Sequence, residues 1–311
     1  MKRCLATIID KDSIFDFVIM IYSLLCSNSG IKSKFDLVVF VTDECIKEYK
    51  GIIDILWEDW KLMSIPSEFE KVIEYEGPRD WCNADNKYKA HYRYAIFTLE
   101  QYDYVVYLDN DLIINNKICE LLDSKYEGIH VVKKVPNRVS RIYTIKKGGE
   151  KIFNAGVMGI SKKFLNKKTA KDLLELQKQR KSTGNQPVLN EYFESEVHYL
   201  DEAYNMCIEN ILSDEDLQSK ILHFVGSRKP STVIKFVSHV VCKVDLLHFI
   251  LNKDYDNHVD LYIGTEYWTS AVTDGFGDYQ IKMIGHYKCL EILKHYLNYY
   301  NGLRQHLNKY V

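Results

Sequence analysis

The segment YVVYLDND, residues Tyr104–Asp111, decides the predicted fold of this chain. Its first five residues are aromatic, β-branched or aliphatic, and a short run of this kind is typical of a buried β-strand. Asp109 and Asp111 follow directly, at the edge where an open α/β sheet binds ligands beyond the carboxyl ends of its strands. Two carboxylates there predict a hard, oxygen-rich site for Mg²⁺ or Mn²⁺ that would neutralise a diphosphate.

The Asp-x-Asp spacing alone is weak evidence for a metal site, because it occurs elsewhere in the chain. The other examples are Asp10/Asp12, Asp214/Asp216 and Asp254/Asp256. The first of these also follows an apolar run, so a position after a strand does not distinguish the pairs. A capped turn between a strand and a helix explains Asp109 and Asp111 about equally well, and the rest of the sequence has to decide.

The overall composition is that of an ordinary globular protein, with 311 residues, 46% hydrophobic and 27% charged. This length is enough for one large α/β domain or two small ones, with a substantial core. A net charge of -2 argues against a nucleic-acid-binding domain, because such domains are usually basic. We therefore expect no nucleic-acid partner.

The eight cysteines include no Cys-x-x-Cys pair, and several lie within apolar runs. This pattern favours reduced core thiols over disulfides or zinc ligands, and hence a reducing compartment. The N-terminus lacks the pattern of a signal peptide, and no apolar run reaches the roughly 18 residues that cross a bilayer. We expect a cytoplasmic protein without a transmembrane span.

Strands and helices alternate from the start of the sequence. A strand is predicted over residues 4–9, and a helix capped by Asp12 and Ser13 extends to about Cys26. A second strand covers residues 35–41, and this order predicts an α/β fold with a doubly wound, mostly parallel sheet. Further helices are predicted over residues 86–101, over residues 117–122, from a cap at Ser161 to about Arg180, and after Gly184. Further strands are predicted over residues 128–132, over residues 153–160, and from residue 221 onward.

Several residues have a plain structural explanation when they are taken one at a time. Arg93 lies on the helix before the central strand, where a surface charge is the commoner interpretation. His223 follows two apolar residues, and such a histidine is more often a satisfied core residue than a ligand. Asn and Gly interrupt the strand predicted over residues 153–160, which often marks the close approach of a ligand or another backbone.

The C-terminal part and one internal segment are predicted from composition and periodicity. Residues 133–151 are basic and indicate a solvated loop, with a mobile lid over an anionic donor as the alternative. Residues 231–311 are predicted to form a mainly helical appendage to a domain over residues 1–230. An apolar stripe from Ile284 to Tyr300 indicates packing on that domain or on a second subunit of a homodimer. A membrane-surface or lipid-acceptor contact is the sharper alternative.

Four segments in a fixed order carry a resemblance to a known family. They are YLDND over Tyr107–Asp111, FNAG over Phe153–Gly156, NQPVLN over Asn185–Asn190 and HFVGSRKP over His223–Pro230. Over residues 4–230 the chain resembles glycosyltransferase family 8, the family of glycogenins, bacterial lipopolysaccharide galactosyltransferases and galactinol synthases. The resemblance implies a Rossmann-like GT-A fold, a UDP-sugar donor with UDP-glucose favoured, Mn²⁺, and transfer with retention of the anomeric configuration.

The resemblance also implies a metal site and a diphosphate site. Asp109 and Asp111 match the metal-binding pair of the family, and His223 matches the third protein ligand. A neutral imidazole beside two carboxylates suits Mn²⁺ better than Mg²⁺. Gly226 would let the backbone approach the diphosphate, and Lys229 would place a positive charge on the departing UDP.

Other matched positions are expected to bind the rest of the donor. Asn154 and Ala155 would face the sugar, with Asn154 bonding a hydroxyl, and Arg93 would lie near the donor phosphate and sugar instead of at the surface. Asn110 belongs to the same donor site. The segment matched to the uridine site is Thr7, Ile8, Ile9 and Asp10, where Asp10 replaces a smaller polar residue.

Two departures from the family pattern affect the expected mechanism. Many members have Asp-Gln where this chain has Asn185 and Gln186, and an amide cannot act as a carboxylate nucleophile. We therefore prefer a front-face mechanism to a covalent one, with Asn185 and Gln186 orienting the sugar and the acceptor. The self-glucosylated tyrosine of glycogenin falls on or near Leu212, so self-priming of that kind is not expected.

Two alternatives to a UDP-hexose transferase stay open at this point. Asn185 motivates the first, a catalytically weak nucleotide-sugar-binding protein of the same fold. The second is an unrelated nucleotide-binding α/β protein in which the four segments match by coincidence. The sequence names neither the donor sugar nor the acceptor, which could be a glycan, a protein, a polyol or a lipid.

Overall fold

The computed structural model describes most of the N-terminal three quarters of the chain. The described residues are 1–10, 13–41, 50, 53–54, 56–70, 90–123, 127–134, 152–180, 184–207, 210 and 214–225. The predicted helical appendage over residues 231–311 and nearly all of the basic segment over residues 133–151 lie outside them. The division into two parts at residue 230 therefore stays a prediction, and the predicted homodimer finds no support.

In the described part of the chain, ten strands form two sheets. The larger sheet contains β1 (Arg3–Ile9), β2 (Asp36–Val41), β3 (Lys61–Ser64), β4 (Tyr104–Leu108), β6 (Ile129–Lys133), β7 (Phe153–Ser161) and β8 (Val197–Leu200). The smaller sheet contains β5 (Leu112–Ile114), β9 (Met206–Cys207) and β10 (Ile221–His223).

The helices of the described part lie between these strands along the chain. The α-helices are α1 (Ile14–Ser27), α2 (Ser67–Glu70), α3 (Cys119–Leu122), α4 (Lys167–Arg180), α5 (Asn185–Tyr192) and α6 (Asp214–Leu217). The 3-10 helices cover Ile31–Ser33, Ala90–Thr98, Lys162–Phe164 and Glu202–Tyr204. None of the helices described is long and apolar enough to cross a membrane.

The larger sheet has the strand order β3-β2-β1-β4-β7-β6-β8. Only β7 is antiparallel to its neighbours, β4 and β6, while the remaining pairings are parallel. The predicted α/β fold with a mostly parallel sheet is thus confirmed. Because β7 runs against β4, the beginning of β7 lies beside the carboxyl end of β4, where Asp109 follows.

Strand β4 lies at the centre of the core. All five of its residues are buried, and their side chains alternate between the two apolar clusters that cover the faces of the sheet. Tyr104, Val106 and Leu108 join one cluster, whereas Val105 and Tyr107 join the other. Burial on both faces is the physical reason why this strand shows a continuous apolar run and no polar alternation.

Gly159 in β7 makes room for a tyrosine of the core. A Cβ atom at this position would lie 1.9 Å from Oη of Tyr104 and 3.1 Å from Cβ of His130. Oη of Tyr104 donates a hydrogen bond to the carbonyl oxygen of Leu121 over 3.0 Å, which holds the ring in place. The glycine is therefore required by packing.

Gly159→Ala is expected to lower the free energy of unfolding by about 1–3 kcal/mol, because it overpacks a filled core. Chemical denaturation measures this loss. The matched control adds Tyr104→Phe, which removes the closest clashing atom and leaves Cζ at 2.9 Å, so the double variant should lose clearly less than the sum of the single losses. A Gly159→Ala variant as stable as the parent would contradict the packing of β7 against Tyr104.

The cap predicted at Ser161 is wrong. Ser161 is the last residue of β7, and its Oγ accepts a hydrogen bond from the backbone N–H of Gly128 over 2.9 Å. Helix α4 begins at Lys167, and Oδ1 of Asn166 accepts the N–H of Thr169 over 2.9 Å. A short 3-10 turn separates strand from helix, so a different side chain with capping chemistry is used.

Two other helix predictions need correction. The helix predicted over residues 86–101 is a 3-10 helix that ends at Thr98, and residues 86–89 lie outside the described part. Ser13 precedes α1 as predicted, but its Oγ accepts the N–H of Asp10 over 2.9 Å and makes no capping hydrogen bond. Asp12 lies outside the described residues. Helix α5, with Pro187 in its first turn, is confirmed.

Candidate active site

The two sheets bring three predicted metal ligands together. Strand β4 ends at Leu108, β5 begins at Leu112, and β5 pairs with β10 so that Leu112 lies opposite His223. The backbone N–H of Phe224 donates to the carbonyl oxygen of Asp111 over 3.0 Å. This pairing fixes His223 beside the turn that carries Asp109 and Asp111.

Asp109, Asp111 and His223 form a compact cluster of metal-binding groups. Nε2 of His223 lies 3.4 Å from Oδ1 of Asp111 and 3.8 Å from Oδ2 of Asp109, and the three donor atoms lie within 4.8 Å of one another. Asp111 and His223 are each only 3% exposed. Two carboxylates and an imidazole gathered in this way fit a divalent cation such as Mn²⁺.

Gly156 makes this cluster sterically possible. A Cβ atom there would lie 2.2 Å from Cε1 of His223 and 2.9 Å from Oδ2 of Asp109. The carbonyl oxygen of Gly156 accepts the N–H of Asp109 over 2.8 Å, which holds the two backbones together. The glycine predicted to mark a close approach therefore does so, and the groups that approach it are the candidate ligands.

Arg93 lies inside the site and is not a surface charge. Its Nη2 donates to Oδ1 of Asp109 over 2.5 Å, and its Nη1 donates to Oδ1 of Asn185 over 3.2 Å. The guanidinium also lies 4.8 Å from the centre of the Tyr107 ring. Burial opposes its charge, but Asp109 and Tyr107 outweigh burial and raise the pKa of Arg93. Arg93 thus stays positively charged in the site.

Tyr107 was missed by the sequence reasoning, which treated it only as a strand residue. Its hydroxyl donates to the same Oδ1 of Asp109 that Arg93 contacts. Burial raises the pKa of Tyr107 well above the usual tyrosine value, so the hydroxyl keeps its proton and acts as a donor. One oxygen of Asp109 is therefore held by Arg93 and Tyr107, while the other faces His223.

The segment Thr7–Asp10 lies at the carboxyl end of β1, next to β4 in the sheet. Nδ2 of Asn110 donates to the carbonyl oxygen of Ile8 over 3.1 Å and so ties this segment to the Asp-x-Asp turn. Oδ1 of Asp10 accepts the N–H of Ser13 over 3.0 Å. Thr7 is buried, and Ile9 belongs to the core.

Two residues expected to face the sugar, Asn154 and Ala155, lie on β7, which pairs with β4 on the side opposite β1. Oδ1 of Asn154 accepts hydrogen bonds from the N–H of Gly156 over 2.8 Å and from Nδ2 of Asn205 over 3.1 Å. Ala155 is fully buried in β7. Asn185 and Gln186 begin α5, where Asn185 is buried and Gln186 is partly exposed.

Asn205 is the second residue that sequence reasoning missed. It follows Tyr204, is 4% exposed, and its Oδ1 lies 2.7 Å from Nδ1 of His223. Its only sequence signal is an amide between two apolar residues, which is too common to indicate a site. Gly226 and Lys229 lie outside the described residues, so their expected contacts with a diphosphate stay predictions.

Comparison with known proteins identifies related sequences. Glycosyltransferase GlyF of Streptococcus pneumoniae serotype 4 is 26% identical over 155 residues, which cover 46% of this chain and 37% of GlyF. Glycosyltransferase GlyA of the same strain is 27% identical over 157 residues, which cover 47% of this chain and 22% of GlyA. The matched region is thus well under half the length of either relative.

Solved structures show a similar fold. The glycosyltransferase GlyE of Streptococcus pneumoniae TIGR4 has a TM-score of 0.52 at 22% identity, covering 74% of this chain and 56% of GlyE. The galactosyltransferase LgtC, solved with donor and acceptor sugar analogs, has a TM-score of 0.56 at 16% identity, covering 73% of this chain and 88% of LgtC. These similarities confirm the GT-A fold.

A family model places the sequence directly. The model described as glycosyl transferase family 8 matches residues 4–231, which include every residue of the candidate site. That range is well over half of the chain and agrees with the four-segment resemblance. The chain belongs to glycosyl transferase family 8.

Proposed function

We propose that this chain is a Mn²⁺-dependent, retaining glycosyltransferase that moves a hexose from a UDP-sugar, with UDP-glucose favoured, to a hydroxyl of an acceptor. The observation that carries the proposal is the cluster of Asp109, Asp111 and His223 in a chain of this family. Mg²⁺ is a weaker fit because an imidazole is one of the three donors.

The residues around the cluster fit a nucleotide-sugar diphosphate. A bound ion would neutralise the charge that develops on the departing diphosphate. Nε of Arg93 and Oγ1 of Thr7 are buried and have no hydrogen-bond partner within the described part of the chain. Buried polar atoms of this kind are usually satisfied, and donor oxygens would satisfy these two. Gly226 and Lys229 would contact the diphosphate from the segment that follows β10.

The mechanism proposed for this chain is a front-face transfer. The bond between the anomeric carbon and the diphosphate oxygen breaks, and the acceptor oxygen bonds to that carbon from the same face. The acceptor proton goes to the departing diphosphate oxygen. Asn185 offers an amide, which Arg93 already contacts over 3.2 Å, so it orients the sugar instead of attacking it. Gln186 would help to orient the acceptor, and Asn154 and Ala155 would border the sugar.

The same amide favours one other function. If the family chemistry depends on a carboxylate at the position of Asn185, the chain would bind a nucleotide sugar with little turnover. A catalytically weak nucleotide-sugar-binding protein is therefore the second candidate. The acceptor is a separate question, and glycans, proteins and lipids all offer a suitable hydroxyl.

A panel of nucleotide sugars, tested with and without Mn²⁺, separates these functions. We expect one UDP-sugar to raise the melting temperature only when Mn²⁺ is present and to be hydrolysed slowly without an acceptor. At a ligand concentration about 100 times the Kd, the stabilisation should be about 2.7 kcal/mol. Stabilisation without hydrolysis or transfer would favour the weak enzyme, and a panel without any metal-dependent stabilisation would refute both.

A further inference from the structure

A line of hydrogen bonds leads from the backbone of β7 to the candidate metal ligand His223. The N–H of Gly156 donates to Oδ1 of Asn154 over 2.8 Å, and Nδ2 of Asn205 donates to the same oxygen over 3.1 Å. Oδ1 of Asn205 then lies 2.7 Å from Nδ1 of His223. Asn154 is 9% exposed, and Asn205 and His223 are still more deeply buried.

The direction of this line is determined at its backbone end. A backbone N–H can only donate, so the atom of Asn154 that faces Gly156 must be the oxygen. That oxygen can only accept, so the atom of Asn205 that faces it must be the amide nitrogen. The amide oxygen of Asn205 therefore faces His223, and Nδ1 of the imidazole must carry the hydrogen.

The opposite nitrogen of His223 is the one that faces the two carboxylates. In a neutral imidazole one nitrogen carries the hydrogen and the other has the lone pair. With the hydrogen on Nδ1, the lone pair lies on Nε2, which is 3.4 Å from Asp111 and 3.8 Å from Asp109. The ring is thus in the tautomer that can bind a cation on this side.

We propose that Asn205 is a positioning residue that holds His223 in its metal-binding tautomer and orientation. The proposal rests on the metal site of the proposed function, and it assigns a role to a residue that acts on the site through its hydrogen bond with His223. Hydrogen-bond partners behind a ligating histidine set the tautomer and typically change metal affinity by about 10–100-fold.

The same line connects the metal site to the sugar site. Both hydrogen bonds described for the side chain of Asn154 use Oδ1. Its Nδ2 group is therefore the part that would donate to a sugar hydroxyl. A sugar that shifts Asn154 would pull on Asn205 and, through it, on His223.

The first test measures Mn²⁺ alone, without any donor, by electron paramagnetic resonance. We expect Asn205→Leu to weaken Mn²⁺ binding by about 10–100-fold, because it removes the acceptor for the Nδ1 hydrogen. Asn205→Asp keeps an acceptor oxygen for the Nδ1 hydrogen, although it gives up the donation to Asn154, and should lose clearly less Mn²⁺ affinity than Asn205→Leu. Equal losses in both variants, or no loss in Asn205→Leu, would overturn the proposal.

The second test observes the tautomer directly and needs no metal. Nuclear magnetic resonance of the metal-free protein with isotope-labelled histidine should show His223 protonated on Nδ1, with the signal assigned by its loss in His223→Gln. Asn205→Asp should keep this signature, and Asn205→Leu should lose it. Protonation of the parent on Nε2 would refute the role of Asn205, even if Mn²⁺ binds.

The two tests distinguish this proposal from the proposed function. If the parent bound no Mn²⁺, the metal-dependent transferase would fail, while the tautomer of the metal-free protein would still decide how Asn205 acts on His223. If Mn²⁺ bound and the tautomer were the opposite one, the transferase would stand and the positioning role would fall.

Discussion

Asp111→Asn is expected to lower the turnover of a UDP-sugar at least about 100-fold, because a metal ion supplies several kcal/mol of charge stabilisation in reactions of this kind. Asp111 is 3% exposed and faces Nε2 of His223. An amide has nearly the same shape as the carboxylate but carries no charge. The backbone contact with Phe224 uses the carbonyl oxygen of Asp111 and survives the change.

The stability of the variant separates a lost metal site from a lost fold. Two neighbouring carboxylates, of which Asp111 is buried and Asp109 partly buried, repel when no cation is present. The metal-free Asp111→Asn protein should therefore melt at the same temperature as the parent or higher. We expect Mn²⁺ to raise the melting temperature of the parent, and this rise should disappear in the variant. Calorimetry with and without Mn²⁺ measures both effects.

A surface carboxylate provides the matched control. The side chain of Asp123 is 61% exposed and pairs with Arg3, and exposed pairs of this kind contribute at most about 1 kcal/mol. Asp123→Asn should therefore keep its turnover and its response to Mn²⁺. If Asp111→Asn kept near-normal, Mn²⁺-dependent turnover, Asp111 would not be a metal ligand.

Gly156→Ala is expected to weaken Mn²⁺ binding at least about 100-fold, because the added methyl group would displace the proposed metal ligand His223 together with its hydrogen bond to Asn205. The new Cβ would lie 2.2 Å from Cε1 of His223, which is closer than any contact between such atoms. The hydrogen bond from the N–H of Asp109 to the carbonyl oxygen of Gly156 holds this backbone in place. The new methyl group and the almost fully buried His223 therefore cannot both keep these positions. The imidazole is therefore the group that must move.

A double variant distinguishes displacement of the ligand from general damage. Gly156→Ala should also lower the free energy of unfolding by about 1–3 kcal/mol through overpacking. Adding His223→Ala removes the ring that clashes, so the double variant should recover much of that stability without recovering Mn²⁺ binding. Titration with Mn²⁺ and urea denaturation give the two quantities. Parent-like Mn²⁺ affinity in Gly156→Ala would contradict the placement of His223 against β7.

Gly159 lies three residues from Gly156 on β7 and offers a useful contrast. The methyl group added by Gly159→Ala would meet Tyr104 in the core. We therefore expect this substitution to lower mainly the free energy of unfolding. We expect Gly156→Ala to lower mainly the affinity for Mn²⁺. One strand thus serves both the packing of the core and the geometry of the site.

The sequence by itself determined the fold class, the central strand and the order of the four segments. A short apolar run is a local signal of a buried strand, because each apolar side chain favours burial by itself, as in β4. The Asp-x-Asp turn after β4 was also visible in the sequence. Its partner His223 was found through the resemblance, since local pattern favoured a core histidine.

Only the tertiary structure decided how the side chains of the site engage one another. Asn205 is 18 residues from His223 and 51 residues from Asn154, yet it bonds to both. The resemblance predicted Arg93 near the donor, but its pairing with Asp109 became visible only in the structure, for the same reason. Hydrogen bonds between residues so far apart in sequence depend on the pairing of whole strands. The helix cap lies at Asn166 instead of Ser161 because of where β7 ends. Local sequence patterns do not contain that information, because it arises only when the sheets assemble.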